Sequence, residues 1–152
     1  MSKPWKIGIG CLASLLITFL VLAIVAWKFV VPALVPQADA RIVLLVATGI
    51  HEYAIKNAES VPESGDNAVW TGLLKDREIE GFAFKYFIFN GRLISSFLVP
   101  LDIQTKGIGD VSVVAAGLDR KIGTEDDIDY DRAMAMLDEW ETKSDKASES
   151  SK

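Results

Sequence analysis

The spacing of apolar and polar positions changes several times along this chain. From Ile7 to Trp27 there is no charged residue, and only Gly8, Gly10, Ser14 and Thr18 interrupt an apolar run. As a helix those 21 residues reach about 31 Å at ~1.5 Å per residue, the thickness of a bilayer's hydrocarbon core. A core helix of a water-exposed domain keeps a polar stripe, and this run has none. The pattern predicts a short flank over 1–6 and a membrane-spanning helix over 7–35. Pro32 and Pro36 each remove a backbone donor and predict a kink or break just beyond the membrane.

A second pattern starts at Asp39, placed to cap a helix. Ile42, Leu45, Val46, Gly49, Ile50, Tyr53 and Ala54 recur at spacings of three and four, the stripe of an amphipathic helix. Val61 to Asp66 reads as a loop. Asn67 to Lys75 predicts a short helix packed through Val69, Trp70, Leu73 and Leu74. After Gly81 the aromatic-rich segment Phe82–Phe89 reads as a strand, Asn90-Gly91 as a tight turn needing positive φ at both residues, and Arg92–Val99 as the returning strand. Gly107 and Gly109 mark a further turn, and Asp110–Ala115 a third strand. Asp131 to Trp140 predicts a terminal helix with Ala133, Met136, Leu137 and Trp140 on one face. Residues 142–152 carry no apolar stripe and are expected to be disordered. The sum is an α+β chain: an N-terminal transmembrane helix, then an amphipathic helix packed on a small antiparallel sheet within an outer domain at 36–141.

Composition sharpens this picture. The chain has 152 residues, half of them apolar, with a net charge of −5. Residues 1–40 carry +2 and the remainder −7, so the outer part is acidic. An acidic chain is a poor nucleic-acid binder. One Cys excludes an internal disulfide, a Cys-rich zinc site and a redox pair, and one His leaves little room for a His-based metal site or a Cys–His or Ser–His relay. Lys3 and Lys6 before the apolar run favour a cytoplasmic N-terminus and an outer domain beyond the cytoplasmic membrane. Ala38-Asp39-Ala40 has the small-x-small form of a cleavage site, but the apolar stretch before it is longer than an ordinary signal core. Gly10-Cys11 precedes the apolar run, the wrong order for a lipoprotein signal, so Cys11 reads as a small apolar residue.

The chemically distinctive stretch is the acidic loop 116–131, with six carboxylates against Arg120 and Lys121. Crowded carboxylates repel unless a cation sits among them, and calcium takes six to eight oxygens in flexible geometry. Gly117 and Gly123 would let the chain turn around an ion. The spacing is not that of an EF-hand, since Arg120 and Lys121 follow Asp119. From charge alone a solvated acidic surface loop is the favoured reading, since charge runs are usually solvated. Paired carboxylates for glycoside hydrolysis would need a cleft that nothing else suggests. His51 beside Glu52 does not make a pair on a helix. No nucleophile with its base is found, so the chain is read as a non-enzyme.

The stretch Ala115-Ala116-Gly117-Leu118-Asp119-Arg120-Lys121-Ile122-Gly123-Thr124-Glu125-Asp126-Asp127-Ile128 resembles the Ser-Ala-Gly-x-Asp-Gly-x-x-Gly-Thr-x-Asp-Asp-Ile motif of type II secretion major pseudopilins and pseudopilin-like proteins. Upstream, Asn90-Gly91 and Ser95–Leu101, with Phe97 and Pro100, are similar to the family's Asn-Gly and Asp-Pro-Trp-Gly-x-Pro-Tyr. Tyr53 with Val61-Pro62, and Val30–Leu34, resemble the close and the Pro-kinked start of its long helix. The resemblance implies a pilin-like fold for the outer domain and structural calcium held by Asp119, Asp126 and Asp127, with backbone carbonyls between Ala115 and Ile122 and with Asp129 as a secondary candidate. It implies a subunit or accessory of a type II secretion or pilus-like assembly, anchored once in the cytoplasmic membrane with its C-terminal domain in the periplasm. Its partners would be the membrane, other pseudopilin or secretion subunits, and copies of itself. The chain departs from the family in four places. It lacks Phe-Thr-Leu-x-Glu and any acidic residue from Met1 to Pro36, the Asp-Pro-Trp-Gly motif is lost, Arg120 stands where the loop has Gly, and the segment from Pro36 to Tyr53 is shorter than the family's helix. A stand-alone membrane-tethered binding module with a pilin-like fold is the alternative.

Overall fold

The computed structural model describes residues 4–57, 66–79, 81–105 and 110–149. It forms two compact units, Met1–Leu34 and Val35–Lys152. The loop expected from Val61 to Gly65 and the turn at Gly107 and Gly109 lie outside the described residues.

The first unit is helical. Helix α1 spans Pro4–Val25, a π-helical turn follows at Ala26–Val30, and α2 begins at Val31. From Leu15 to Leu34 the exposed large apolar side chains include Phe19, Leu22, Trp27, Phe29 and Leu34, and none in Ser14–Val30 is buried. Thr18 Oγ donates to the Ser14 carbonyl at 2.9 Å, so even this hydroxyl is satisfied within the helix. The chain therefore has one N-terminal helix long and apolar enough to cross a membrane.

The expected break at the prolines does not occur. Helix α2 runs from Val31 to Lys56 with Pro36 inside it. For Pro32 the reason lies one turn upstream. Val31 N–H donates to the Ala26 carbonyl, five residues back, which widens the helix just before Pro32. A π turn there relieves the clash between a proline ring and the carbonyl four residues earlier. Asp39 is consequently no cap: it lies within the helix and is buried, 1% exposed.

In the second unit α2 buries Asp39, Ala40, Ile42, Val43, Val46, Gly49, Ile50 and Ala54. The stripe is the expected one, turned slightly so that Leu45 and Tyr53 are half-buried and Ala40 and Val43 go inside. At Gly49 a Cβ would lie 2.8 Å from Phe84 Cζ, so glycine lets the helix sit on that ring. Helix α3 (Asn67–Leu74) is capped by Asp66, whose carboxylate accepts from Val69 N–H at 3.1 Å. It buries Trp70 and Leu74 as expected, but also Asn67 and Thr71, while Val69 faces out. Tyr53 meets the Trp70 ring edge-on at 5.8 Å.

The strands form three separate antiparallel pairs among the described residues. They are β1 (Glu78–Ile79) with β2 (Phe82–Ala83), β3 (Ile88–Phe89) with β4 (Arg92–Leu93), and β5 (Asp102–Thr105) with β6 (Val111–Val114). The Asn90-Gly91 turn is as expected, with φ of 49° and 72° at its two residues. The long aromatic strand is not: Phe84–Phe87 forms a 3-10 turn that buries Phe84 completely. The returning strand is also cut short, because Ser95–Leu98 turns and Leu98 takes φ 61° before Ile94 bridges Pro100. Strand β6 therefore pairs with β5, a strand not anticipated, in register Ile103↔Val113. The final helix α4 runs from Tyr130 to Glu149, over most of the segment expected to be disordered. Along it Lys143 Nζ pairs with Glu139 Oε1 at 2.6 Å, one turn apart.

Candidate cation site in the acidic loop

The acidic loop leaves the core through a narrow neck. Ala115 and Ile128 exchange both backbone hydrogen bonds at 2.9 Å, and Ala115, Ala116 and Gly117 are buried. Gly117 has no room for a side chain, since a Cβ there would overlap the carbonyl and carboxylate of Asp126. Beyond it the chain turns, with Arg120 N–H on the Gly117 carbonyl at 3.1 Å. Arg120 takes φ 63° and Gly123 φ 92°. Both lie in the left-handed region that favours glycine. The Arg120 guanidinium stands over the Phe97 ring at 4.7 Å, which ties the loop to the Ser95–Leu98 turn.

The three expected ligands converge on one side chain, Thr124. Its hydroxyl lies 2.8 Å from Asp126 Oδ1, 3.2 Å from the Lys121 carbonyl, and 3.4 Å from Oδ1 of both Asp119 and Asp127. A hydroxyl has one proton to donate. It satisfies one of these four oxygens at a time. Loop amides bind these carboxylates as well. Asp126 Oδ2 accepts from Asp119 N–H at 3.0 Å, and Asp119 Oδ1 from Lys121 N–H at 2.8 Å. Asp127 Oδ2 accepts from Gly123 N–H at 2.5 Å and Thr124 N–H at 3.2 Å. The Thr124 hydroxyl, then the Asp119 amide, hold the Asp126 carboxyl below its ordinary range.

This donor set fits a hard cation such as calcium: it is all oxygen, mostly anionic, and partly backbone. Among the described residues no three ligating side chains already stand as a ready metal group. Ligation would therefore draw the three Oδ1 atoms inward around the Thr124 position. Asp129 plays another part. Its Oδ1 accepts from Arg132 N–H at 2.9 Å and so caps α4. Arg132 in turn clasps the loop, its guanidinium donating to the carbonyls of Glu125 and of Asp127, the latter at 2.9 Å. His51 is exposed on α2.

Three residues matter here that the sequence pattern passed over. Thr124 is the hub of the loop. Asn67 joins α3 to the strands: its Nδ2 donates to the carbonyls of Leu93 (2.8 Å) and Leu101 (2.6 Å), and its Oδ1 accepts from Leu93 N–H at 2.7 Å. Asp39 is the third; its Oδ1 accepts from Ser96 N–H at 2.6 Å, while its buried Oδ2 has no partner. Burial pushes this carboxyl above its ordinary range, and hydrogen bonding by Ser96 works against that. A lone acid inside an otherwise apolar helical stripe was the available signal for it.

Comparison with protein-family profiles, curated proteins and solved structures finds no match to this chain.

Proposed function

We propose that this chain is a membrane-anchored, pseudopilin-like structural subunit or accessory of a type II secretion or pilus-like assembly, with a calcium-stabilised loop. The observation that carries the reading is the acidic loop, in which Asp119, Asp126 and Asp127 crowd one threonine hydroxyl. The resembled motif has glycine at the position of Arg120, and Arg120 takes the left-handed conformation that glycine serves there. That supports the resemblance at the point where the residue type departs from it. The exposed apolar helix supports a single-pass anchor. Lys3 and Lys6 support a periplasmic C-terminal domain. Calcium would neutralise the loop and pin it to the rest of the outer unit, a structural and non-catalytic role.

The test is a thermal melt of the full chain in detergent, with calcium and then with chelator. A ligand bound only by the folded state at one hundred times its dissociation constant adds about 2.7 kcal/mol. A rise with calcium that Asp127→Ala abolishes upholds the loop as a metal site. A melt indifferent to both removes it. The lack of any acidic residue from Met1 to Pro36 favours a second reading, a membrane-tethered binding module that works alone. Co-purification with secretion subunits from crosslinked membranes separates the two.

A further inference from the structure

As a single-pass anchor, the first unit carries more apolar length than a bilayer's hydrocarbon core takes up. From Ile7 to Leu34 there are 28 residues with one charge among them, Lys28. As a helix they reach about 42 Å at ~1.5 Å per residue. The hydrocarbon core is about 30 Å thick. Fitting the whole run inside it would need a tilt of about 44°, beyond the roughly 0–40° range of membrane helices. Part of the run therefore stands outside the hydrocarbon, and Lys28 indicates which part. Its side chain is exposed, as are Phe29 at 70%, Val30 at 47% and Leu34 at 58%. Side chains on a helix lean toward its N-terminus. At the C-terminal end of a membrane span that lean is inward, against the direction in which a lysine must reach for water. With Leu34 at the hydrocarbon surface, Lys28 would start about 9 Å beneath it, and its ammonium would lie deeper still. The cheaper placement ends the hydrocarbon at Trp27.

We propose that Lys28 sits at the lipid phosphates of the leaflet where the helix leaves the membrane, and that Phe29, Val30 and Leu34 form an apolar collar seated among the headgroups. The inference rests on the single-pass reading and deepens it by fixing the depth of the helix. Two further observations agree with this depth. The full run of about 42 Å matches the about 40–45 Å of a bilayer with its headgroup layers. Trp27, one residue before the lysine, is of the type that collects at this boundary. The ammonium of Lys28 supplies a compact positive charge to the anionic phosphate oxygens. Leu34 stands about 9 Å further along the axis, at the outer edge of the headgroups. The rival placements are a helix drawn deeper, with the collar in the hydrocarbon, and a collar held clear of lipid for another protein to cover.

Thiol labelling of the full chain in vesicles of phosphatidylethanolamine and phosphatidylglycerol tests this. In a Cys11→Ser background, Leu20→Cys, Phe29→Cys, Leu34→Cys and Asp138→Cys are each exposed to a charged, membrane-impermeant maleimide. Each rate is scaled to that of the same site in the denatured chain. Asp138, exposed on α4, is the open reference, and Leu20 the hydrocarbon one. The Phe29 and Leu34 sites are expected to label more slowly than Asp138 and faster than Leu20, with Leu34 the faster of the two. Lys28→Leu is expected to draw the helix inward and bring the Phe29 site down to the Leu20 rate, while Lys28→Arg leaves it where it was. Collar sites as closed as Leu20 in the Lys28 chain overturn the inference in favour of the deeper helix. Collar sites as open as Asp138 overturn it in favour of a surface kept for another protein. Rates unmoved by Lys28→Leu remove the lysine as the residue that sets the depth and overturn the inference with it. All three results leave the single-pass reading standing. A Leu20 site as open as Asp138 overturns that reading and the inference together.

Discussion

Residues 14–30 and residues 39–54 are both helical and both rich in apolar side chains, yet they are apolar for different reasons. The first stretch buries nothing within the protein and is apolar around its whole circumference. The second buries a stripe, with Arg41, Thr48, His51 and Ile55 outside it. The contrast teaches that apolar content alone does not say what a helix packs against. The angular distribution does, because a bilayer surrounds a helix and a protein core touches one side of it.

The strongest way to break this contrast is to put the same kind of charge into each half. Val43→Asp places an unpaired charge at a site with no exposure and is expected to cost about 3–5 kcal/mol, melting the second unit. Membrane extraction should still find the chain in the membrane. Leu20→Arg is the mirror experiment, at about 2.5–3.5 kcal/mol for a charge at a helix centre in the bilayer. It should shift the chain toward the extractable fraction and leave the near-ultraviolet circular dichroism of the outer unit unchanged. If either change produced the other's effect, the two halves would not be doing separate jobs.

Asn67→Ala sharpens the comparison inside the second unit, where polar groups too are sorted by burial. It removes three buried hydrogen bonds, to the Leu93 amide and to the Leu93 and Leu101 carbonyls, and at about 1 kcal/mol each the melt is expected to lose about 3 kcal/mol. A smaller effect is expected of Gly117→Ala, about 1–3 kcal/mol as an overpacking change. Its methyl displaces Asp126, so a calcium-dependent rise in the melt should shrink with it. The smallest concerns the exposed end of α4. Lys143 holds the Glu139 carboxyl below its ordinary value through a hydrogen bond, then through charge. A lowered carboxyl adds stability above its unfolded value, lost as pH falls through the folded one. Lys143→Ala should therefore slightly reduce helicity by circular dichroism at neutral pH and not at pH 3. Equal loss at both would mean the pair is held by something other than charge.

Much of this was legible in residue order. The apolar run, the buried face of α2, the short helix α3 and the Asn90-Gly91 turn each follow from chemistry within a few residues. The neck of the acidic loop was partly so, through Gly117 and Gly123. What failed, failed at longer range. Pro32 reads as a break because the π turn that precedes it has no residue signature of its own, and Pro36 is carried inside α2. The aromatic run Phe82–Phe89 alternates like a strand, but burying Phe84 under Gly49 on another element turned it into a 3-10 segment. Strand β5 was missed because Asp102–Thr105 alternates over only four residues.

The sequence by itself determined where the chain is apolar around its whole circumference, where it is striped, where it turns and where its carboxylates gather. These are properties of neighbours in the chain, set by side-chain periodicity and by the φ that each residue tolerates. Only the tertiary structure decided that Asp39 is buried against Ser96 rather than capping a helix. It alone placed Asn67 between two strands and brought three separated carboxylates to the hydroxyl of Thr124. Those outcomes depend on which surfaces meet, and a polar group's partner in a packed interior is chosen by what the fold places beside it.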